Sequence, residues 1–381
     1  MKQILTILGA RPQIIKAAAI SRTIRTSFAD KVEEKILHTG QHYDANMSQV
    51  FFDELEIPAP DFNLGVGSGK HGEQTAKMVA GIEEVMLNGE FDGVILYGDT
   101  NSTLAGAVAA SKLHIPVFHV EAGLRSFNMS MPEEINRTVC DQLSSILFAP
   151  TDTAIRNLEN EGFFKTKYLF PNGKGRLVYK SGDVMYDNSL YFGKMADNKS
   201  TVLKDNGLER DKYLLMTLHR DNNTDNKDRL TSIFSSILDI VETEKIKVIF
   251  PMHPRTSKMM NQILDKDLVD AFVQSEYINI IPPVSFLDMI ALEKNAKIVV
   301  TDSGGVQKES YFYGKPSIIL RNETEWMEIV ENGAGILTDA DNSRIMEAYK
   351  ELTSKKIKYS NAFGDGNAAK YIVEKILDYL S

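Results

Sequence analysis

Cysteine is almost missing: Cys140 is the one thiol in 381 residues. That excludes an intrachain disulfide framework and a zinc cage built on thiolates. Tryptophan is equally scarce, with Trp326 alone. Positive charge is not in excess either, since 43 Lys and Arg stand against 52 Asp and Glu for a formal net charge of −9. An acidic chain is poorly suited to tracking a phosphate backbone or lying on an anionic bilayer, so neither nucleic acid nor membrane is expected as a partner. No apolar run approaches the roughly 20 residues that span a bilayer. The opening residues lead straight into periodic structure rather than a signal segment. No internal repeat or low-complexity tract is evident. What is present is a globular composition, 43% hydrophobic, long enough for two domains of roughly 150 residues and expected in the cytoplasm.

Short β-branched runs alternate with helix-like stretches, at residues 4–8, 34–38, 93–97, 116–120 and 146–149. An amphipathic stretch over 12–25 follows the first of them. This rhythm predicts an α/β fold of parallel βαβ units with helices on both faces. It breaks over 165–180, which holds five basic residues, no acid and the turn Pro171-Asn172-Gly173-Lys174-Gly175. That stretch reads as a hairpin or loop insertion leading to a hinge at Ser181-Gly182-Asp183. The alternation resumes at 213–217, 247–250, 278–281, 297–301 and 317–320, and 367–380 reads as a final helix. Two doubly wound domains meeting at a cleft are expected, with ligands at the carboxyl ends of the strands.

Unusual polar residues fall at those strand ends. After the first strand comes Gly9-Ala10-Arg11-Pro12, with Lys16 further along. Proline near the first helical position starts a helix, and Arg11 and Lys16 beside open amide donors suit a phosphate. No second or third glycine follows, so a dinucleotide fingerprint is missing and no redox cofactor is expected. Tyr97-Gly98-Asp99-Thr100-Asn101-Ser102-Thr103 ends the third run, where capping alone would account for one such residue. His119-Val120-Glu121-Ala122-Gly123 ends the next, and a carboxylate at the mouth of a buried strand is costly unless paired or used. Pro132-Glu133-Glu134 has the composition of a first helical turn, and helix-dipole chemistry would explain its acids. Asp99, Glu121 and Glu133 nevertheless follow neighbouring strands and are expected to converge on one edge. Carboxylates brought together raise one another's pKa and suit general acid/base work.

In the second half, His219 lies just past a strand and His253 occupies the equivalent place after the next one. Neither has cysteine or a spaced histidine nearby, so no metal site is expected. Thr301-Asp302-Ser303-Gly304-Gly305-Val306-Gln307 carries a strand into a helix start. Small residues at Ser303, Gly304 and Gly305 admit a phosphate to the helix amides and dipole. Glu309, about one and a half turns on, is placed to accept from ribose hydroxyls. Arg321 offers a further cation, and Trp326 reads as core or a wall.

These motifs occur in order, together with Leu124-Arg125, Ile135-Asn136-Arg137 and Gly364-Asp365-Gly366. As a set they resemble the non-hydrolysing UDP-N-acetylglucosamine 2-epimerase family over nearly the whole chain. The resemblance implies a glycosyltransferase-B-like fold of two Rossmann-like domains around a cleft. Those domains would be 1–180 plus 363–381, with the last helix packed back on the first domain, and 181–362, which would bind UDP. It implies reversible inversion at C2 of the sugar, giving UDP-N-acetylmannosamine through loss of UDP to a 2-acetamidoglucal and its re-addition. By similarity Asp99, Glu121 and Glu133 match the acid/base carboxylates and His219 the histidine near the leaving diphosphate. Arg11 and Lys16 match substrate-binding cations, while Ser303, Gly304, Gly305, Glu309 and Arg321 match UDP-binding positions. No cofactor or metal is called for, and relatives are commonly homodimers serving polysaccharide biosynthesis.

Two segments depart from the common pattern: that between Arg125 and Pro132 is shorter than in the common enzymes, and 165–180 reads as an insertion. Gln41-His42-Tyr43-Asp44-Ala45-Asn46-Met47-Ser48 and Ser126-Phe127-Asn128-Met129-Ser130-Met131 resemble instead the branch acting on UDP-2,3-diacetamido-2,3-dideoxyglucuronate. The same C2 inversion on that sugar is therefore an alternative. A retaining glycosyltransferase on the same fold would also want Ser303, Gly305 and Glu309, but not three carboxylates from the first domain. A nucleotide-sugar sensor would leave those carboxylates without a role, and a hydrolysing relative would release free N-acetylmannosamine.

Overall fold

A computed structural model describes residues 1–41, 56–165 and 169–381. Of the segment 41–48 noted above, only Gln41 lies among them. The chain divides into two compact units, Met1–Asn188 with Asn361–Ser381, and Ser189–Ser360.

The first unit is built on a seven-stranded sheet in which every recorded pairing is parallel. Its strands are β1 (Lys2–Leu8), β2 (Val32–His38), β3 (Phe62–Asn63), β4 (Gly93–Tyr97), β5 (Val117–Val120), β6 (Ile146–Ala149) and β7 (Leu177–Lys180). Their spatial order is β3-β2-β1-β4-β5-β6-β7. The central strands are mostly apolar, as burial on both faces favours, with Thr6 and His119 as buried polar exceptions. Leu5, Ile7, Val94 and Leu96 pack under Met78, Ile82 and Met86 of the helix His71–Asn88 and the alanines of Asn101–Lys112. The alternation expected to break over 165–180 regains the sheet by its end. The turn at Pro171-Asn172-Gly173 closes a short bridge between Leu169 and Gly175, and β7 then pairs parallel to β6. The helix Ala368–Leu380 belongs to this unit. Its Tyr379 meets Phe118 edge-on at 5.8 Å, and Tyr371 meets Tyr179 at 6.0 Å.

The second unit repeats the plan with six strands: β8 (Tyr213–Thr217), β9 (Lys247–Pro251), β10 (Ile278–Ile281), β11 (Ile298–Thr301), β12 (Ser317–Ile319) and β13 (Gly335–Leu337). They lie in the order β10-β9-β8-β11-β12-β13 and pair in parallel. Leu214, Met216, Val248, Phe250, Ile298 and Val300 form its core with Phe234 and Ile237 of the helix Lys227–Glu244. Each sheet reverses direction once, at β1/β4 and at β8/β11. Loops leaving the carboxyl ends of strands at such a point border the crevice where doubly wound sheets take ligands.

Candidate active site

In the first unit the turn after β1 is organised by Gln13, which is buried. Its Oε1 accepts from the Gly9 and Ala10 amides at 2.9 and 3.1 Å, and its Nε2 donates to the Tyr97 carbonyl at 2.9 Å and to Thr103 Oγ1 at 3.0 Å. The donors expected to lie open to a phosphate are therefore already taken. Gly9 serves a different close approach, because a Cβ there would fall 1.9 Å from Ser102 Oγ. Arg11 is exposed at the first position of the helix Arg11–Ser27. Lys16, on the same helix, is turned to Glu121, with Nζ 2.5 Å from Oε1.

The helix after β4 is capped by Thr100 rather than Asp99. Released from that duty, the Asp99 carboxylate pairs with Arg137. Arg137 also donates to Glu134 at 2.7 Å. Burial opposes the guanidinium charge, but Asp99, Glu134 and Glu121 around it more than offset this and raise its pKa. Glu121 ends β5 with φ +69, a left-handed conformation that costs a non-glycine residue about 1–2 kcal/mol. Such an outlier points to a site that the surroundings over-determine.

Of the three carboxylates expected to share one edge, Asp99 and Glu121 both stand around Arg137. Asp99 and Glu121 are each held by a cation, whereas Glu133 is exposed in the first turn of the helix Pro132–Leu143. Its neighbour Glu134 is the buried one, accepting from Ser126 N and Oγ and from Phe127 N, each at 3.0 Å. Burial alone would raise its carboxyl; those donors and Arg137 hold it below the ordinary value. Sequence reading missed Gln13 and Glu134, and gave Arg137 no role of its own. A signal was available, since Glu134, Arg137 and Asp141 share a helix face with Cys140 and all four are buried.

In the second unit the buried Asp302 governs the loop after β8. It accepts from His219 N at 3.2 Å, Arg220 N at 3.0 Å and Asn223 Nδ2 at 3.2 Å. Its Oδ1 also lies 3.3 Å from His219 Nδ1, leaving the imidazole about half exposed. His253 caps the next helix, its Nδ1 accepting from Arg255 N. After β11, Ser303 caps the helix Gly304–Phe312. Neither Gly304 nor Gly305 has positive φ, and a Cβ on either would meet no described protein atom closer than 3.6 Å. Packing therefore does not require glycine at these two positions.

Arg321 is less available than its sequence position suggested, because Glu325 accepts from it through both oxygens at 3.0 Å. Trp326 is buried beneath the Lys308 ammonium, 3.9 Å from the ring centre. Glu309 is half-buried, and its charge acts on the fully buried Glu293. Burial first, then the Glu309 charge, pushes the Glu293 carboxyl well up. Among the described residues no group of His, Cys, Asp and Glu is arranged to hold a metal ion, and no helix is long and apolar enough to cross a membrane.

Two parallel doubly wound units give the chain the glycosyltransferase-B-like fold class. A family model described as UDP-N-acetylglucosamine 2-epimerase matches residues 25–377. The chain belongs to this family, and is an isomerase. It is 47% identical to a UDP-N-acetylglucosamine 2-epimerase homolog of Methanococcus maripaludis, covering 98% of each chain. It is 44% identical, again over 98% of each, to the UDP-2,3-diacetamido-2,3-dideoxy-D-glucuronate 2-epimerase of Pseudomonas aeruginosa. A crystal structure of UDP-GlcNAc 2-epimerase from Methanocaldococcus jannaschii, in complex with UDP-GlcNAc and UDP, matches with TM-score 0.82 and 43% identity over 99% of each chain.

Proposed function

We propose that this enzyme interconverts UDP-N-acetylglucosamine and UDP-N-acetylmannosamine without hydrolysis. The observation that carries the reading is the cluster Lys16–Glu121 and Arg137–Asp99 at the ends of β1, β4 and β5. A glycosyl transfer to an acceptor gives two cation-held carboxylates at a switch point no task. Inversion at C2 does, because a proton must leave one face and return to the other.

The C2 hydrogen is not flanked by a carbonyl and is inert while UDP is attached. Cleavage of the C1–O bond places positive character on C1, which makes the C2 hydrogen removable. The electron pair of the C2–H bond then forms the C1–C2 double bond of 2-acetamidoglucal. Protonation of C2 on the opposite face and return of UDP to C1 complete the inversion. In this reading Asp99, Glu121 and Glu133 supply the acid/base groups. Ser303, Gly304 and Gly305 hold the diphosphate at helix amides, with Glu309 on the ribose. His219 stands near the leaving diphosphate, Arg11 and Lys16 are substrate-binding cations, and Arg321 binds UDP. The reading extends to a cytoplasmic homodimer acting in polysaccharide biosynthesis, supported by the family resemblance.

A second sugar is favoured by a specific observation, the 44% identity to the Pseudomonas aeruginosa diacetamido-glucuronate enzyme. Incubation in deuterated water with each UDP-sugar separately tests both. Deuterium at C2 of recovered nucleotide sugar, with little free sugar, is the expected result. The sugar that exchanges identifies the substrate; no exchange with either overturns the epimerase reading, and free N-acetylmannosamine overturns its non-hydrolysing form. Sedimentation of the purified chain reads the dimer.

A further inference from the structure

His119, two residues before Glu121, is fully buried. Its Nδ1 lies 2.7 Å from Asp141 Oδ1 and its Nε2 lies 2.8 Å from the Gly98 carbonyl oxygen. A carboxylate and a carbonyl can only accept. Both ring nitrogens therefore donate, and the ring is an imidazolium. Burial opposes that charge, but the neighbouring Cys140 sulfur and the Asp141 carboxylate hold the imidazole well above its ordinary value.

Asp141 is equally buried, and its second oxygen accepts from the Gly123 amide at 3.1 Å and lies 2.7 Å from the Arg125 guanidinium. Arg125 in turn donates to both oxygens of Glu161, at 2.7 and 2.8 Å. Buried charge of this density is an expensive way to hold a fold, since apolar residues of like volume often do as well or better. Its placement gives it a purpose. Asp141 grips residues 119 and 123, equally spaced on either side of Glu121, the residue with φ +69. The other end of the same imidazolium grips the carbonyl of Gly98, itself at φ +60, in the peptide that leads into Asp99.

We propose that His119 is a positioning residue for epimerisation, donating from both ring nitrogens to fix the Gly98–Asp99 peptide and, through Asp141, the left-handed backbone at Glu121. One buried ring thus sets the bearing of two acid/base carboxylates that it does not itself touch. The inference rests on the reading of Asp99 and Glu121 as acid/base groups. Misplacement of such groups by about 1 Å costs roughly 100-fold in rate.

Two measurements decide it. The first is proton–nitrogen correlation of the full-length, histidine-labelled wild type, with the His119 signal assigned by its loss in His119→Gln. Both His119 nitrogens are expected to be protonated at pH 7.5; a neutral single tautomer there overturns the proposal. The second is the Asp141→Asn enzyme, whose amide cannot accept with both atoms. Its kcat for C2 deuterium exchange is expected to fall about 100-fold while UDP affinity stays within about twofold of wild type. Wild-type kcat in a folded variant overturns the proposal, as does an equal loss of rate and UDP affinity. If Asp141→Asn does not fold, the wild-type spectrum still decides. If the wild type exchanges neither UDP-sugar, the epimerase reading fails, whereas the His119 spectrum reports on the ring independently.

Discussion

Lys16 and Glu121 meet at 2.5 Å with side-chain exposures of 13% and 9%. The lysine comes from the helix after β1 and the glutamate from the end of β5, so the pair spans the switch point of the first sheet. An ion pair so little exposed is strongly coupled: removing one partner strands the other in a poorly solvated position, at a cost of about 3–5 kcal/mol when burial is complete. Lys16→Met should therefore destabilise the protein by about 3 kcal/mol in urea unfolding and abolish most C2 exchange. Glu121→Gln should retain UDP binding and lose exchange. The double variant should regain much of the lost stability without regaining exchange. A double variant with near-wild-type exchange would remove both residues from the chemistry.

Adjacent glutamates on one helix should separate structure from chemistry. Glu134 accepts from two amides, one hydroxyl and Arg137, so Glu134→Gln turns an NH2 group toward donors. The expected cost is about 2 kcal/mol, with faster amide hydrogen exchange at Ser126 and Phe127. Glu133 is exposed, and Glu133→Gln should leave stability within about 0.5 kcal/mol while C2 exchange falls. Unchanged exchange in Glu133→Gln would restrict the acid/base role to Asp99 and Glu121.

In the second unit Asp302 is the residue on which the loop carrying His219 depends. Its carboxylate accepts from two consecutive amides and from Asn223. Asp302→Asn keeps the volume but removes one acceptor atom. A loss of about 2 kcal/mol in stability is expected, together with a roughly tenfold weaker Kd for UDP by calorimetry. Unaltered UDP affinity would show that this loop does not serve the nucleotide.

Much of this arrangement was legible because burial on both faces writes parallel strands as short apolar runs. Gly93–Tyr97, Ile146–Ala149, Tyr213–Thr217 and Ile278–Ile281 lie where such runs stand. Phe62–Asn63 and Gly335–Leu337 are too short to produce a pattern, and Leu177–Lys180 is an edge strand whose half-exposed residues mask its pairing. The strand-end motifs located both switch points. What they could not convey was which donors and cations are already taken by neighbouring side chains. Gln13 consumes the amides of Gly9 and Ala10 from one turn along its helix, and Glu325 claims Arg321 from four residues on. Of two adjacent glutamates, Glu134 is set apart from Glu133 by its i,i+3 spacing to Arg137 and by the amides of Ser126 and Phe127.

Asp187 gives the last helix a pH dependence of defined sign. Its carboxylate accepts from the Ala368 and Ala369 amides at 3.2 and 2.9 Å, at the start of Ala368–Leu380. Burial dominates those bonds and, with a contribution from Asp183, raises its pKa from 3.8 to about 6. Between those values the folded chain binds more protons at this site than the unfolded chain, so the stabilisation is complete below pH 3.8 and is lost as pH rises through 6. The span of about two units corresponds to roughly 3 kcal/mol. Asn at this position cannot titrate, so the stability advantage of wild type over Asp187→Asn should shrink by up to about 3 kcal/mol from pH 4 to pH 6.5. Urea unfolding of both proteins across that range measures it, and a difference that stays level or grows with pH contradicts the assignment.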